Sequence, residues 1–230
     1  MKIRIYNNEL NPSIWIGDKI KPEVRETLLL TANEFHKDSE ITAPIQDIYL
    51  LGSGANYNWT ATSDIDLHIL IDFKKINPDV ELVKTTMDLL KSNWNNKHNV
   101  CIKSHKIEIY IQDITEKNRS TGVFRIFFIS KLNNVWVKVP RKLNINVDKE
   151  SIQKKYSNII VNIQKSIDSG DINKLKAVSK SIYDMREAGL STEGEFSTEN
   201  IVFKILRARK YIEKLKKAIN DLYDEKLSIK

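Results

Sequence analysis

Between Ser63 and Ile71 the chain alternates without a break: Ile65, Leu67, Ile69 and Ile71 take every second position, and Asp64, Asp66 and His68 stand between them. A period of two belongs to a strand with one buried face, so this stretch is not a helix and both carboxylates leave the strand on the same side. Carboxylates held that close repel and raise each other's pKa. A divalent cation removes the penalty. Carboxylate oxygens suit a hard ion such as Mg²⁺, which binds through a few of them together with phosphate oxygens.

Upstream, the apolar run Ile48-Tyr49-Leu50-Leu51 stops at Gly52-Ser53-Gly54, ten residues before Asp64. This reads as a buried strand ended by a turn of small residues. Glycines let backbone N–H groups approach a phosphate, and the Ser53 hydroxyl adds a donor, so Gly52 and Ser53 are candidate phosphate contacts. Turn and carboxylates together point to a nucleoside triphosphate. Downstream, Lys106-Ile107-Glu108-Ile109-Tyr110-Ile111 alternates again, with Glu108 opposite its isoleucines, although Asp113 and Glu116 are near enough to compete for its role. Taken alone, an Asp-x-Asp strand can simply blunt a sheet edge, and Gly-Ser turns are common. The combination and its spacing single this stretch out.

Gly-Ser, a spacer of about ten residues, Asp-apolar-Asp-apolar and a later strand carboxylate resemble the signature of the DNA polymerase β-like nucleotidyltransferase superfamily. That superfamily includes CCA-adding enzymes, poly(A) polymerases, antibiotic adenylyltransferases and cyclic-dinucleotide synthases. Lys21-Pro22-Glu23-Val24-Arg25-Glu26 and Gly194-Glu195-Phe196-Ser197 are similar to segments of small bacteriophage-encoded nucleotidyltransferases. The resemblance implies an α/β (α+β) fold, a mixed sheet with flanking helices followed by a C-terminal helical bundle. It implies that Asp64 and Asp66 hold two Mg²⁺ ions, with Mn²⁺ as an alternative, and that Glu108 holds the ion that activates the attacking hydroxyl. The implied reaction is template-independent transfer of a nucleoside monophosphate to an RNA or tRNA 3′ end, with release of pyrophosphate. Alternatives are nucleotidylation of a protein or small molecule, synthesis of a linear or cyclic oligonucleotide, and a non-enzymatic nucleotide- or partner-binding module. For a phage protein the implied location is the host cytoplasm.

The remaining patterns fit that outline. Pro22 suits the first turn of a helix whose stripe is Val24, Leu28, Ala32 and Phe35. Asn77-Pro78-Asp79 opens a second helix running to about Lys97, with Val80, Val83, Met87 and Leu90 as its stripe. A strand at Val100 to Lys103 follows, and a hairpin pairs Phe124 to Ser130 with Val135 to Val139 across Asn133-Asn134. Before these, residues 1–20 read as an irregular segment in which Ile14, Trp15 and Ile16 are expected to pack. Residues 1–145 read as a catalytic domain and 146–230 as helical, with helices over Asp148–Asp168, Asp171–Glu187 and Ser197–Lys226, the last open to a break.

In the helical part, Leu175, Val178, Ile182 and Met185 form an apolar stripe beside Lys176, Lys180, Tyr183 and Arg186. A cleft between the two domains is expected to hold the nucleotide. The resemblance implies that cations and aromatics of this part reach triphosphate and base, which makes Lys180, Tyr183 and Arg186 candidate nucleotide-binding residues. The other reading is a solvated helix face. Val202, Ile205 and Ile212 place Arg209 on an apolar side, where it would want an anionic partner. Ser197 reads as a helix N-cap with Asn200 at the third position, or Thr198 takes its place. Trp59 either stacks on a base or caps the core, and Trp136 either packs on the sheet or lines the cleft. His68 shares the carboxylate face, but lies about 13 Å from Asp64 along a strand and reads as a hydrogen-bonded core histidine.

The formal charge of +7 is spread rather than blocked: residues 1–147 carry 20 basic and 17 acidic side chains, and 148–230 carry 17 and 13. That leans mildly toward an anionic partner such as RNA. Cys101 is the only cysteine, which excludes an internal disulfide and a thiolate zinc cluster and suits a reducing cytoplasm. The first residues lack a signal-peptide core, and no run approaches the roughly 18 apolar residues of a membrane span. No membrane partner is expected.

Overall fold

The structure is a computed structural model that describes residues 6–118, 120–128, 134–142 and 148–229, all but the side chain of Phe128. The chain forms two compact units, Met1–Leu143 and Asn144–Lys230. The turn expected at Asn133 and the expected domain boundary at 145/146 lie outside the described residues.

The first unit is mixed α/β. In chain order it comprises β1 (Trp15–Ile16), β2 (Lys19–Ile20), α1 (Pro22–Asp38), β3 (Ile45–Leu51), a 3-10 turn at Gly52–Ala55, β4 (Ile65–Ile71), α2 (Val80–Lys97), β5 (Cys101–Ile102), β6 (His105–Asp113), β7 (Val123–Phe128) and β8 (Val135–Lys138). β1 and β2 form a small ribbon, and the others form one sheet in the order β5-β6-β4-β3-β7-β8. β3 runs antiparallel to both β4 and β7, whereas β4 and β6 run parallel with α2 as their crossover.

One sheet face is apolar. Ile48 and Leu50, Ile65 to Ile71 at alternate positions, Ile107, Ile109 and Ile111, and Phe124 and Ile126 bury against Val24, Leu28, Ala32 and Phe35 of α1 and Val83 and Met87 of α2. The stripes read from the sequence are therefore the core. Pro22 stands in the first turn of α1, and Asp79 caps α2 by accepting from the N–H of Leu82. Ile14 and Trp15 join this core, but Ile16 is 67% exposed, because alternation in the β1–β2 ribbon turns it away from its neighbour. Trp136 packs on the sheet, stacked 4.8 Å from Trp15 and edge-on to Phe124.

The far edge of β6 is closed by a side chain. Asn95 donates to the carbonyl of Ile109 at 2.9 Å and accepts from its N–H at 3.0 Å, so one amide stands in for a neighbouring strand.

The second unit is helical: α3 (Lys149–Asp168), α4 (Ile172–Thr192), α5 (Thr198–Ala208) and α6 (Tyr211–Leu227). Asp148 and Asp171 cap α3 and α4, and Ser197 caps α5 by accepting from the N–H of Asn200, as the sequence predicts. Leu175 and Ile182 are buried with Ile152, Ile163, Val202, Leu206 and Leu215. Gly189 lets α5 start hard against α4, since a Cβ there would lie 2.6 Å from Cβ of Glu199. The expected helix from Ser197 to Lys226 is broken at Lys210, which adopts a left-handed conformation at φ 60°. Arg209 therefore falls past the end of α5 and does not face inward. It is exposed, lies over the Tyr156 ring at 5.2 Å and donates to its hydroxyl at 2.9 Å. Among the described residues no helix is long and apolar enough to cross a membrane.

Candidate functional site

The sheet face opposite the core is mixed: a small cluster of Tyr49, Leu51, Leu70 and Val123 is buried there, and the polar side chains stand around it. Alternation presents Asp47, Tyr49 and Leu51 from β3, Asp66, His68 and Leu70 from β4, Glu108, Tyr110 and Gln112 from β6, and Arg125 from β7. The register gathers three of the predicted positions. Asp66 is the Cα partner of Glu108 on one side and of Leu51 on the other, and the Gly52–Ala55 turn begins straight after Leu51.

Gly52 ties the turn to the carboxylates. It sits at φ +59°, and a Cβ there would overlap Oδ2 of Asp66. The carboxylate is thus laid against the bare α-carbon of the turn, an approach only glycine permits. Ser53 follows within the turn, and Gly52, Ser53, Asp64, Asp66 and Glu108 are all partly buried. Asp64 stands just ahead of β4. Among the described residues no group of three His, Cys, Asp or Glu side chains is disposed to hold a metal ion as placed.

The spacer between turn and carboxylates is braced by side chains that sequence reasoning missed. Asn7 donates to the carbonyls of Tyr57 and Trp59. His105, buried at the start of β6, has Nδ1 2.7 Å from the carbonyl of Ser63 and Nε2 3.0 Å from the amide nitrogen of Asn11. Both contacts are satisfied when Nδ1 carries the proton and Nε2 accepts. His105 thereby anchors the residue before Asp64. Nothing in the sequence marks Asn7, Asn11 or His105, because their partners are distant in the chain. Trp59 belongs to the same scaffold, its indole N–H donating to the carbonyl of Glu9 at 2.9 Å.

His68 is the hydrogen-bonded histidine that its spacing predicts. Its Nδ1 lies 2.9 Å from Oε1 of Gln112, and its ring stacks on Tyr110 at 4.9 Å. Burial pushes its pKa down to about 4, with the Lys91 ammonium acting the same way against the Gln112 bond, so the ring is neutral at pH 7. Asp113, a rival to Glu108 in the sequence, sits opposite Ile71 at the other end of β6. It accepts from the N–H groups of Phe73 and Thr115. Burial works to raise its pKa, but these bonds and the Thr115 hydroxyl outweigh it and hold the carboxyl below its ordinary value. Its role is to hold a turn.

Further along the same face, buried Asp47 pairs with Arg125, whose Nε donates at 3.0 Å, and Arg125 also donates to the Tyr49 hydroxyl. Burial raises the Asp47 pKa against the bonds from Tyr49, Arg125 and the N–H of Ile48. Removing Arg125 leaves burial less opposed and moves that pKa higher. A raised carboxylate contributes most to stability below its unfolded pKa and loses that contribution as pH rises through the folded one. Arg125→Met is therefore expected to cost about 3 kcal/mol at pH 7, by stranding a buried charge, and roughly 1 kcal/mol at pH 4. Urea melts at both pH values test this. An equal or larger deficit at pH 4 would mean the pair is not the source.

Lys180, Tyr183 and Arg186 lie on α4 in the helical unit and have partners there. Lys180 pairs with Asp184, Tyr183 is tilted against Phe203 at 5.5 Å, and the Arg186 guanidinium lies 4.5 Å from the same ring. The helical unit also encloses a concavity of roughly 580 Å³ walled by Lys154, Lys155, Asn158, Met185, Glu193 and Glu199. Lys155 is paired with Glu199 across it, so its cations and carboxylates balance. Charge there selects no ligand.

No protein-family model, curated protein or solved structure matches the chain.

Proposed function

We propose that the protein is a metal-dependent nucleotidyltransferase that moves a nucleoside monophosphate from a nucleoside triphosphate to a hydroxyl, with an RNA 3′ end as acceptor. The observation that carries this reading is the junction of three elements: Asp66 in register with Glu108 across parallel strands, and its carboxylate against the α-carbon of Gly52. The donor set is apt in chemical kind, because Asp64 just ahead of β4, Asp66 on β4 and Glu108 on β6 offer only hard carboxylate oxygens. The resemblance carried by Gly52-Ser53, Asp64-Ile65-Asp66 and Glu108 supports the same assignment.

On this reading Asp64, Asp66 and Glu108 hold two Mg²⁺ ions, which when bound lower the pKa of the attacking hydroxyl and offset charge at the α-phosphate. The turn at Gly52 and Ser53 seats the phosphates and keeps Asp66 beside them. The acceptor oxygen forms a bond to the α-phosphorus, the α–β phosphoanhydride bond breaks, and pyrophosphate leaves with the electron pair. The hydroxyl proton passes to solvent. Lys180, Tyr183 and Arg186 are proposed as further nucleotide contacts. An RNA acceptor fits the formal charge of +7, and its binding should weaken steeply with salt.

The test is incubation with each α-labelled nucleoside triphosphate and total RNA, with Mg²⁺ or with chelator, followed by separation of RNA, protein and small-molecule fractions. Label is expected in RNA, only with Mg²⁺, and with a preference among the four bases. Label in protein or in a soluble product replaces the acceptor. No label in any fraction, together with triphosphate binding indifferent to Mg²⁺, overturns the proposal in favour of a binding module.

A further inference from the structure

We propose that Tyr110 is the positioning residue for Glu108, held in place by a strut of side chains that runs along β4 and β6. The inference rests on the reading of Asp64, Asp66 and Glu108 as the metal-binding carboxylates. Tyr110 follows Glu108 by two positions, so the two side chains stand side by side on the face opposite the core, and the phenol donates to Oε2 of Glu108 at 3.2 Å. The phenol donor selects one rotamer of a side chain with three free torsions and leaves the other oxygen for a ligand.

Tyr110 is itself held. Its ring stacks on His68, its register partner across the parallel pair, at 4.9 Å and an interplanar angle of 20°. The Lys91 ammonium lies 5.1 Å from the ring centre. His68 is locked by Gln112, whose amide nitrogen is tied in turn to the carbonyl of Glu116 at 3.0 Å. The sequence Glu116, Gln112, His68, Tyr110, Glu108 is thus a continuous set of contacts ending on the carboxylate. A strand glutamate without it would sample several rotamers. With it, Glu108 is presented beside Asp66 before any ligand arrives.

Partners that orient ligating carboxylates typically contribute 10- to 100-fold to metal affinity. Mn²⁺ alone is the probe, with free ion read by its electron paramagnetic resonance signal against the full-length protein. Tyr110→Phe keeps the stacked ring and removes only the hydroxyl. It is expected to weaken Mn²⁺ binding about 10-fold without moving the urea midpoint, whereas in a Glu108→Gln background the same change should alter affinity less than about twofold. If Tyr110→Phe itself melts early, His68→Phe keeps an aromatic platform but cuts the link to Gln112, and should weaken Mn²⁺ about threefold. Wild-type affinity in a folded Tyr110→Phe or His68→Phe variant, or equal weakening with and without Glu108, overturns the role of Tyr110 alone. Failure of the wild-type protein to bind Mn²⁺ at all, or undiminished binding by Asp66→Asn, overturns the carboxylate site itself and this inference with it.

Discussion

Asp66→Asn is expected to reduce nucleotide transfer about 10³-fold while changing the unfolding free energy by no more than about 1 kcal/mol. The two effects separate because the amide keeps the shape of the carboxylate but not its charge. Asp66 occupies a central position, register partner of both Leu51 and Glu108. Transfer rates with labelled triphosphate and urea melts on the same preparation provide the comparison. A variant that unfolds easily yet retains its rate per folded molecule would make Asp66 a structural residue and sink the catalytic assignment.

Gly52→Ala should lose on both counts. Alanine at φ +59° carries a backbone penalty of about 1–2 kcal/mol. The added methyl also overlaps Oδ2 of Asp66, and the end of that side chain is the softest thing in its way. The carboxylate will swing aside, which limits the loss of stability but moves the group that the site depends on. A displacement of about 1 Å can cost 10²-fold in rate, so transfer should fall by at least that factor. Activity at the wild-type level in a variant destabilised by only the backbone penalty would show that the pose of Asp66 does not depend on the turn.

Much of this site is legible in the residues themselves. Alternation in Ser63–Ile71 and Lys106–Ile111 marks two half-buried strands and puts Asp66 and Glu108 on their outer faces, because side-chain direction in a strand is a property of the strand alone. Tyr110 was available to the same reasoning, two positions beyond Glu108. So was the choice between Glu108 and Asp113: five positions apart on one strand they face opposite ways, and the register sets Glu108 beside Asp66 and Asp113 beside Ile71 of the core, where it holds a turn. His105 and Asn11 were invisible: a buried polar side chain is identified by its partner, and their partners come from distant parts of the chain. Arg209 misled because helical spacing was carried across Lys210, whose left-handed backbone nothing in the local composition announces.

By itself the sequence determined the strands of the large sheet, though not the β1–β2 ribbon, the helix stripes and caps, and the chemical kinds around Asp64 and Asp66, since these follow from periodicity and from hydrogen-bonding preferences that act over a few residues. The tertiary structure alone decided which of those groups meet. The parallel pairing of β4 with β6 depends on where α2 returns the chain, and the contact of Gly52 with Asp66 depends on the antiparallel register of β3. Both are long-range choices made by burial of the opposite, apolar face, so the site is positioned by a core that contributes none of its chemistry.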